Sequence, residues 1–327
     1  MVIVSPALAD ANNGNWQTAR RWREWLGSRH KVRITGQWPD SRAAGDGVML
    51  ALHARRSASA IDAWAQAHGS RGLAVVLTGT DLYQDIHVDS VAAHSLELAQ
   101  RLVLLQELGV SALPAALRHK ALVIFQSTSA RQPLAKTPAR LRALMVGHLR
   151  QVKSPQTLFE AARLLAGRSD IQIDHVGAAL EPGLGELALA TQRDCPGYRW
   201  LGSLPHGRVR QRIQRAHVLV HASAMEGGAH VIMEAVRSGT PVLASRVDGN
   251  VGMLGAGYDG YFPHRDGAAL AALLQRCRDS QQGAAAGASG LLAQLRAQGE
   301  LRAPLFTPEA ERAALLRLVA DLSVPAG

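Results

Sequence analysis

Short apolar runs alternate with amphipathic segments along most of the chain. The first run, residues 2–6, is followed by a polar loop and then by a helix pattern that begins near Trp16. Further runs of similar length predict strands at residues 48–54, 73–79, 101–106, 121–127, 142–148, 171–177, 198–202, 217–223 and 241–245. Strands that alternate with helices form a parallel sheet covered on both faces. The pattern therefore predicts an α/β protein.

A polar segment with two prolines, residues 128–140, divides this pattern into two similar halves and indicates a linker. A chain of 327 residues is long enough for two domains, since one domain commonly spans about 100–200 residues. We predict two doubly wound, Rossmann-like domains, residues 1–137 and 138–327, and the last helix, about residues 307–322, is a candidate to pack on the first domain. Open parallel sheets bind ligands at the carboxyl ends of their strands, so we expect the active site in a cleft between the domains.

Composition limits the classes of function. The formal net charge of +10 favours anionic ligands, but the arginines are spread through helix patterns and only 4% of residues are aromatic. We therefore predict no nucleic-acid partner. No long apolar run and no basic, apolar leader are present, so we expect no membrane partner and a cytoplasmic location. Cys195 and Cys277 lack the paired spacing of a zinc or redox motif, which indicates reduced, structural cysteines.

A glycine pair between two glutamates marks a predicted turn from strand to helix in the second half. Glu226 and Glu234 stand on either side of Gly227 and Gly228, and a helix pattern covers residues 229–239. The first N–H groups of a helix lack partners and suit a phosphate, whereas carboxylates accept hydrogen bonds from sugar hydroxyls. This combination indicates a nucleotide-sugar site. The alternative is that both glutamates are solvated charges favoured near a helix N-terminus.

The first half offers a second candidate anion site. Arg55 and Arg56 follow a predicted strand where a helix begins, and arginine side chains with helix N–H groups suit an anion. His53, at the same strand end, is a candidate donor to a phosphate. The alternatives are ordinary surface charge for the arginines and a structural role for the histidine.

A neighbouring strand end carries Thr80 and Asp81 in the sequence T-G-T-D. Its glycine permits a tight turn, which would let both side chains orient the sugar or the acceptor. Asp81 is alternatively the N-cap of a following helix.

Three motifs occur in order in the second half. They are the two glutamates separated by seven residues and followed by S-G-T-P-V-L-A-S, the stretch at residues 145–165, and the loop at residues 201–209. Together they resemble family 4 glycosyltransferases of the GT-B architecture. The resemblance implies that Lys153 contacts the donor diphosphate, that Glu234 binds the ribose hydroxyls and that Glu226 binds the transferred sugar. It also implies that backbone N–H groups near Gly228 and Ala229 bind the phosphate.

The chain departs from this family at several positions. His148 stands where the family usually has arginine, although Arg150 follows two positions later, and E-G-G-A replaces the commoner E-G-F-G. The loop Asn13-Gly14-Asn15 corresponds in place to the family's glycine loop near the donor phosphates, with one glycine where two are common. We keep Gly14, Asn15, His148 and Arg150 as candidate donor ligands.

The first half resembles a narrower family. Residues 52–61 and 77–86 are similar to the selenosugar synthases of selenoneine biosynthesis. This resemblance implies transfer of a sugar, N-acetylglucosamine or glucose, from a UDP-sugar to selenophosphate with formation of a carbon–selenium bond. Two alternatives are an ordinary GT-B glycosyltransferase with a hydroxyl acceptor and a non-catalytic binding protein.

No Asp-x-Asp element, the usual metal-binding sequence of metal-dependent transferases, occurs in the chain. A helix N-terminus with Lys153 and Arg150 offers positive charge for the leaving group instead. We therefore predict no metal site and no cofactor beyond the UDP-sugar as co-substrate.

Overall fold

The computed structural model describes residues 1–8, 14–284 and 290–323. They form two compact units. The first comprises Met1–Ser127, Glu226–Gly228 and the described residues of Thr307–Gly327, and the second comprises Thr128–Met225 and Ala229–Phe306.

Each unit contains a sheet of six parallel strands. The strands are β1 Val2–Val4, β2 Arg33–Thr35, β3 Met49–Leu52, β4 Leu73–Leu77, β5 Arg101–Leu104, β6 Ala121–Val123, β7 Leu141–Val146, β8 Ile171–Val176, β9 Tyr198–Trp200, β10 Val218–His221, β11 Val242–Ser245 and β12 Tyr261–Phe262. The order is β2-β1-β3-β4-β5-β6 in the first sheet and β12-β11-β10-β7-β8-β9 in the second. The predicted α/β fold with two doubly wound parallel sheets is confirmed.

Helices connect the strands. They are α1 Gly14–Leu26, α2 Ala58–His68, α3 Ile86–Val88, α4 Ser90–Leu98, α5 Gly109–Ala112, α6 Pro155–Leu164, α7 Leu184–Asp194, α8 His206–Arg215, α9 His230–Val236, α10 Asp248–Leu254, α11 Gly267–Ala284, α12 Leu291–Arg302 and α13 Pro308–Ser323. The helix predicted near Trp16 begins at Gly14, and the helix predicted over residues 229–239 is shorter, spanning His230–Val236.

The central strands of the first sheet carry apolar residues on both faces because both faces of that sheet are covered. In β4, Leu73, Val75 and Leu77 join one buried apolar cluster, whereas Ala74 and Val76 join a second cluster on the opposite face. Successive side chains of a strand point to opposite faces. A continuous apolar run is thus the expected pattern for a strand buried on both sides.

The strand order of each sheet reverses at one point. In the second sheet β7 lies between β8 and β10, with Leu219 of β10 paired to Leu144 of β7. In the first sheet β1 lies between β2 and β3. The connections leave in opposite directions at such a point, which opens a crevice at the carboxyl ends of the two central strands. Functional side chains are therefore expected after β7 and β10.

A buried carboxylate fastens α13 to α1 in the first unit. Glu311 is 1% exposed and accepts hydrogen bonds from the indole N–H groups of Trp22 and Trp25, at 2.7 and 3.2 Å. Arg21 Nε lies 2.9 Å from its Oε2, and the backbone N–H of Ser127 donates to the same oxygen at 3.0 Å. The charge of Glu311 is therefore both paired and hydrogen-bonded, as a buried charge requires.

The described residues contain neither a membrane-spanning helix nor a cluster of metal ligands. No helix within residues 1–8, 14–284 and 290–323 combines the length and the apolar character needed to cross a membrane. In the same part of the chain, His, Cys, Asp and Glu side chains do not gather in groups of three or more suited to a metal ion. Cys195 and Cys277 are buried free thiols.

Candidate functional site

The turn that carries Lys153 lies at the crevice between β7 and β10. It follows β7 and includes a short 3₁₀ helix, Gln151–Lys153. The backbone N–H of Ala224, in the loop after β10, donates to the carbonyl of Val152 at 2.8 Å. Two motifs that are far apart in the sequence therefore meet at the point where the strand order reverses.

Gly147 provides the surface on which Lys153 lies. A Cβ atom at Gly147 would stand 3.7 Å from Cγ and 3.8 Å from Cδ of Lys153, so the aliphatic part of the lysine packs over this glycine. Two residues after Lys153, Pro155 begins α6. Between them Ser154 adopts a left-handed backbone with φ of 47°, and its Oγ lies 2.9 Å from Nε2 of His264. This contact helps to hold an unfavourable backbone conformation next to Lys153.

His148 is oriented as a hydrogen-bond donor. Its Nδ1 accepts the backbone N–H of Ala178 at 3.0 Å, so Nε2 carries the proton of the neutral ring. Burial lowers the pKa of His148, and the charges of Lys153 and Arg150 lower it further. Two cations and one neutral N–H donor therefore follow β7, which makes this strand end electropositive.

Arg150 lies beside the carboxylate of Glu181. Its Nε lies 3.7 Å from Oε1 of Glu181, and the other oxygen of Glu181 accepts the backbone N–H of Gln151 at 2.8 Å. The Arg150 side chain remains half exposed. Its pairing at 3.7 Å is loose enough for the guanidinium to contact an additional anion.

Glu234 and Glu226 are both buried, with exposures of 3% and 9%. The alternative interpretation of two solvated charges is therefore wrong. Oε1 of Glu234 lies 2.6 Å from Nε2 of His206 and 3.9 Å from Nε of Arg210. His206 and Arg210 are four positions apart on α8 and so lie on the same face of that helix. Neither was singled out from the sequence, although both are in or next to the loop motif at residues 201–209.

The backbone N–H of Ala229, predicted to bind phosphate, points to Sδ of Met253 at 3.0 Å. A thioether is a weak acceptor. Ala229 is the residue that precedes α9, which has only seven residues.

Gly227 and Gly228 belong to the first unit and are closely packed there. A Cβ atom on Gly227 would lie 2.4 Å from the carbonyl of Thr78, and one on Gly228 would lie 2.8 Å from Cβ of Leu105. The sequence interpretation gave these glycines the role of letting a ligand approach. The structure shows that close packing alone already requires glycine at both positions.

Asp81 joins two strand ends of the first unit. Its carboxylate is fully buried and accepts backbone N–H groups from Thr78 and Gly79, both at 2.8 Å, and from Ala54 at 3.1 Å. Burial raises the pKa of Asp81, against the opposing effects of His53 and the three N–H groups. Both carboxylate oxygens of Asp81 accept N–H groups from residues that precede it in the sequence, so Asp81 is not the N-cap of a following helix. It fixes the loops after β3 and β4.

His53 is held in a strained backbone conformation at the end of β3, with φ of 73°. Its Nδ1 accepts the backbone N–H of Arg56 at 3.4 Å, and its Nε2 lies 3.4 Å from Oγ1 of Thr80. Burial lowers the pKa of His53, although Asp81 acts in the opposite direction. The neutral ring therefore presents Nε2–H toward Thr80, whose side chain is exposed.

The two arginines of the first unit differ in their partners. Nε of Arg55 lies 2.7 Å from Oδ2 of Asp89, and its NH1 lies 3.8 Å from Oδ1 of Asp85. Arg56 is exposed, and the ion pairs formed within the described ranges do not include it. Arg56 is therefore the arginine better placed to contact an additional anion.

Gly14 and Asn15 are the first residues of α1, and the carbonyl of Gly14 accepts the hydroxyl of Thr18 at 2.9 Å. Asn13 lies outside the described residues. The start of a 13-residue helix is a suitable location for N–H groups that contact phosphate, so both residues stay candidates.

The chain is similar to known proteins in part of its sequence and in its fold. Residues 126–283, just under half of the chain, match the family described as Glycosyl transferases group 1. Nearly the whole chain is similar in fold to three solved structures. They are a sucrose-phosphate synthase from Thermosynechococcus elongatus (17% identity, 98% of both chains covered, TM-score 0.78), a glycosyltransferase from Rickettsia africae ESF-5 (14%, 99% of this chain and 98% of the other, 0.73) and HepE of Anabaena in complex with UDP (15%, 98% of both, 0.70).

At these identities the structural likeness establishes the fold, which is the GT-B fold of glycosyltransferases. The segment that matches the model of the group 1 glycosyl transferases, residues 126–283, contains the Lys153 turn and Glu234.

Proposed function

We propose that this protein is a glycosyltransferase that takes a sugar from a UDP-sugar. The observation that carries the proposal is the meeting of the electropositive Lys153 turn with the loop leading to the two glutamates, at the reversal of strand order in the second sheet. Open parallel sheets bind nucleotides at this position. The match to group 1 glycosyl transferases covers the same segment, and HepE, similar in fold, has a structure with UDP.

Each part of the UDP-sugar, namely the diphosphate, the ribose and the transferred sugar, then has a proposed protein ligand. Lys153, Arg150 and Nε2–H of His148 contact the diphosphate, because two cations and a donor follow β7. Glu234 accepts the ribose hydroxyls and Glu226 binds the transferred sugar, with backbone N–H groups of the adjoining loop near the phosphates. Buried carboxylates bind hydroxyls strongly because a hydrogen bond to a charged group is stronger than one between neutral groups.

Transfer breaks the bond between the anomeric carbon and the diphosphate oxygen, and the nucleotide leaves with the bonding electrons. Fixed positive charge near that oxygen stabilises the transition state, since the charge develops there during bond cleavage. We assign this role to Lys153 and Arg150. We propose that transfer needs no metal ion, on the basis of these two cations and the lack of an Asp-x-Asp sequence.

The donor site is tested by replacing Glu234 with alanine. We expect UDP to bind about tenfold to a hundredfold more weakly, the usual cost of a lost hydrogen bond to a charged group. Calorimetric titration with UDP measures the change. Glu186→Ala, an exposed glutamate of α7, is the matched control and should bind as the wild type does. Wild-type affinity in Glu234→Ala would remove Glu234 from the donor site.

For the acceptor we propose selenophosphate. The support is the exposed Arg56, two residues before α2, the exposed Thr80 beside Nε2 of His53, and the resemblance of residues 52–61 and 77–86. Selenophosphate is already anionic and its selenium is a good nucleophile, so it requires positive charge more than a general base. A selenium lone pair forms the bond to the anomeric carbon while the bond between that carbon and the diphosphate oxygen breaks. UDP leaves with the electrons of the broken bond.

Arg56→Ala should raise the KM for selenophosphate about tenfold or more and leave the KM for the UDP-sugar unchanged, because the lost contact touches only the acceptor. Arg55→Ala is the matched comparison and should change the KM for selenophosphate less, since Asp89 already holds Arg55. Initial rates with each substrate varied in turn measure both constants. Equal changes in the donor and acceptor KM values, or efficient transfer to a neutral hydroxyl, would favour an ordinary glycosyltransferase.

A further inference from the structure

The carboxylate of Glu234 has two basic neighbours of very different exposure. The side chain of His206 is 75% exposed, and its Nε2 lies 2.6 Å from Oε1 of the buried Glu234. The side chain of Arg210 is 6% exposed, and its Nε lies 3.9 Å from the same oxygen. One carboxylate oxygen therefore faces both basic groups of α8.

Arg210 donates its hydrogen bonds to acceptors other than Glu234. Its NH1 donates to Oγ1 of Thr128 at 2.8 Å and its NH2 donates to the carbonyl of Ser129 at 2.6 Å. Nε is buried and makes no hydrogen bond with the residues that the structure describes. Arg210 thus balances the charge of Glu234 from a distance, and the direct hydrogen bond comes from His206.

The second oxygen of Glu234, Oε2, forms no hydrogen bond or ion pair with the residues that the structure describes. Over residues 1–8, 14–284 and 290–323, hydrogen bonds and ion pairs to the Glu234 carboxylate all involve Oε1. A carboxylate offers about four acceptor positions. A side chain that is 97% removed from solvent with one unused oxygen is a built acceptor for a ligand hydroxyl.

We infer that His206 is a positioning residue of the donor site, which holds Oε1 of Glu234 so that Oε2 faces the ribose hydroxyls. This rests on the proposed function and adds a residue to it. To donate this bond, Nε2 of His206 must carry a proton. The bond restricts rotation of the glutamate side chain, so the ribose meets an acceptor that is already oriented. The contribution of His206 to binding is therefore transmitted through Glu234.

The test compares UDP with its 2′,3′-dideoxy analogue, which lacks both ribose hydroxyls. For His206→Ala we expect the Kd for UDP to rise about fivefold to tenfold, while the Kd for the analogue stays unchanged. His206→Gln, which retains an N–H donor, should recover part of the loss. Arg215→Ala removes an exposed charge from the same helix and should bind both nucleotides as the wild type does.

A double variant separates positioning from a direct contact. Since His206 acts through Glu234, the variant His206→Ala/Glu234→Ala should bind UDP no more weakly than Glu234→Ala alone. Additive losses, or equal losses for UDP and the dideoxy analogue, would overturn the role of His206 and leave the donor site intact. If Glu234→Ala itself binds both nucleotides normally, the proposed donor site falls together with this inference.

Discussion

Replacing Glu311 with alanine should lower the free energy of unfolding by about 3–5 kcal/mol, the range for breaking a buried, paired charge. The change leaves the Arg21 guanidinium without its carboxylate and removes the acceptor of two indole N–H groups, those of Trp22 and Trp25. The backbone N–H of Ser127 loses its acceptor as well. Because these groups are buried or half-buried, water replaces the lost contacts poorly.

Urea unfolding of the full chain, followed by circular dichroism, measures this effect. Glu309→Ala is the matched control, since Glu309 is exposed on the same helix, α13, and should change the unfolding free energy by less than about 0.5 kcal/mol. Glu311→Gln keeps the shape but not the charge and should fall between the two. A Glu311→Ala protein as stable as the Glu309→Ala protein would show that this carboxylate does not fasten α13 to α1.

Replacing Lys153 with alanine should lower kcat about a hundredfold to a thousandfold, which is the usual cost of removing one group that stabilises transition-state charge. The KM for the UDP-sugar should change less, because the charge on the leaving oxygen is largest in the transition state. Lys153→Arg retains a cation and should recover part of the rate.

The rate of UDP release under saturating substrates measures kcat. Lys31→Ala, at an exposed lysine of the first unit, serves as the control and should leave the rate unchanged. If kcat in Lys153→Ala remains within a few-fold of the wild type, another group neutralises the leaving diphosphate.

Several of the strands that the sequence predicts correctly share one physical property. Strands such as β4 and β10 are buried on both faces, and each therefore appears as a continuous apolar run. The pattern misses β2, three partly exposed residues from Arg33 to Thr35, and β12, which has only two residues. Such short strands form because neighbouring strands supply their hydrogen bonds, which no local pattern encodes.

The sequence alone indicates the motifs of the candidate site, but it does not indicate the contacts between their residues. The positions of Lys153 and Glu234 follow from short motifs. The hydrogen bond between His206 and Glu234 joins residues 28 positions apart on different helices, so sequence spacing does not reveal it. Similarly, Arg55 and Arg56 are equivalent in the sequence, and the positions of Asp85 and Asp89 in the fold give Arg55 its ion pairs.

Glycine roles are ambiguous for the same reason. A glycine at a turn permits either a ligand or another part of the chain to approach closely. At Gly227 the approaching group is the backbone of Thr78, a residue about 150 positions earlier in the sequence. Only the folded arrangement distinguishes the two cases.

The most direct measurement of the central claim is mass spectrometry of the reaction products. The wild-type protein is incubated in excess chelator with UDP-N-acetylglucosamine or UDP-glucose, each with and without selenophosphate. We expect UDP release and a sugar product with the isotope pattern of selenium, formed only when selenophosphate is present. UDP release with a neutral hydroxyl acceptor instead would keep the glycosyltransferase assignment and replace the acceptor. Release of no UDP from either donor, with any acceptor and with Mg²⁺ or Mn²⁺ restored, would contradict the account.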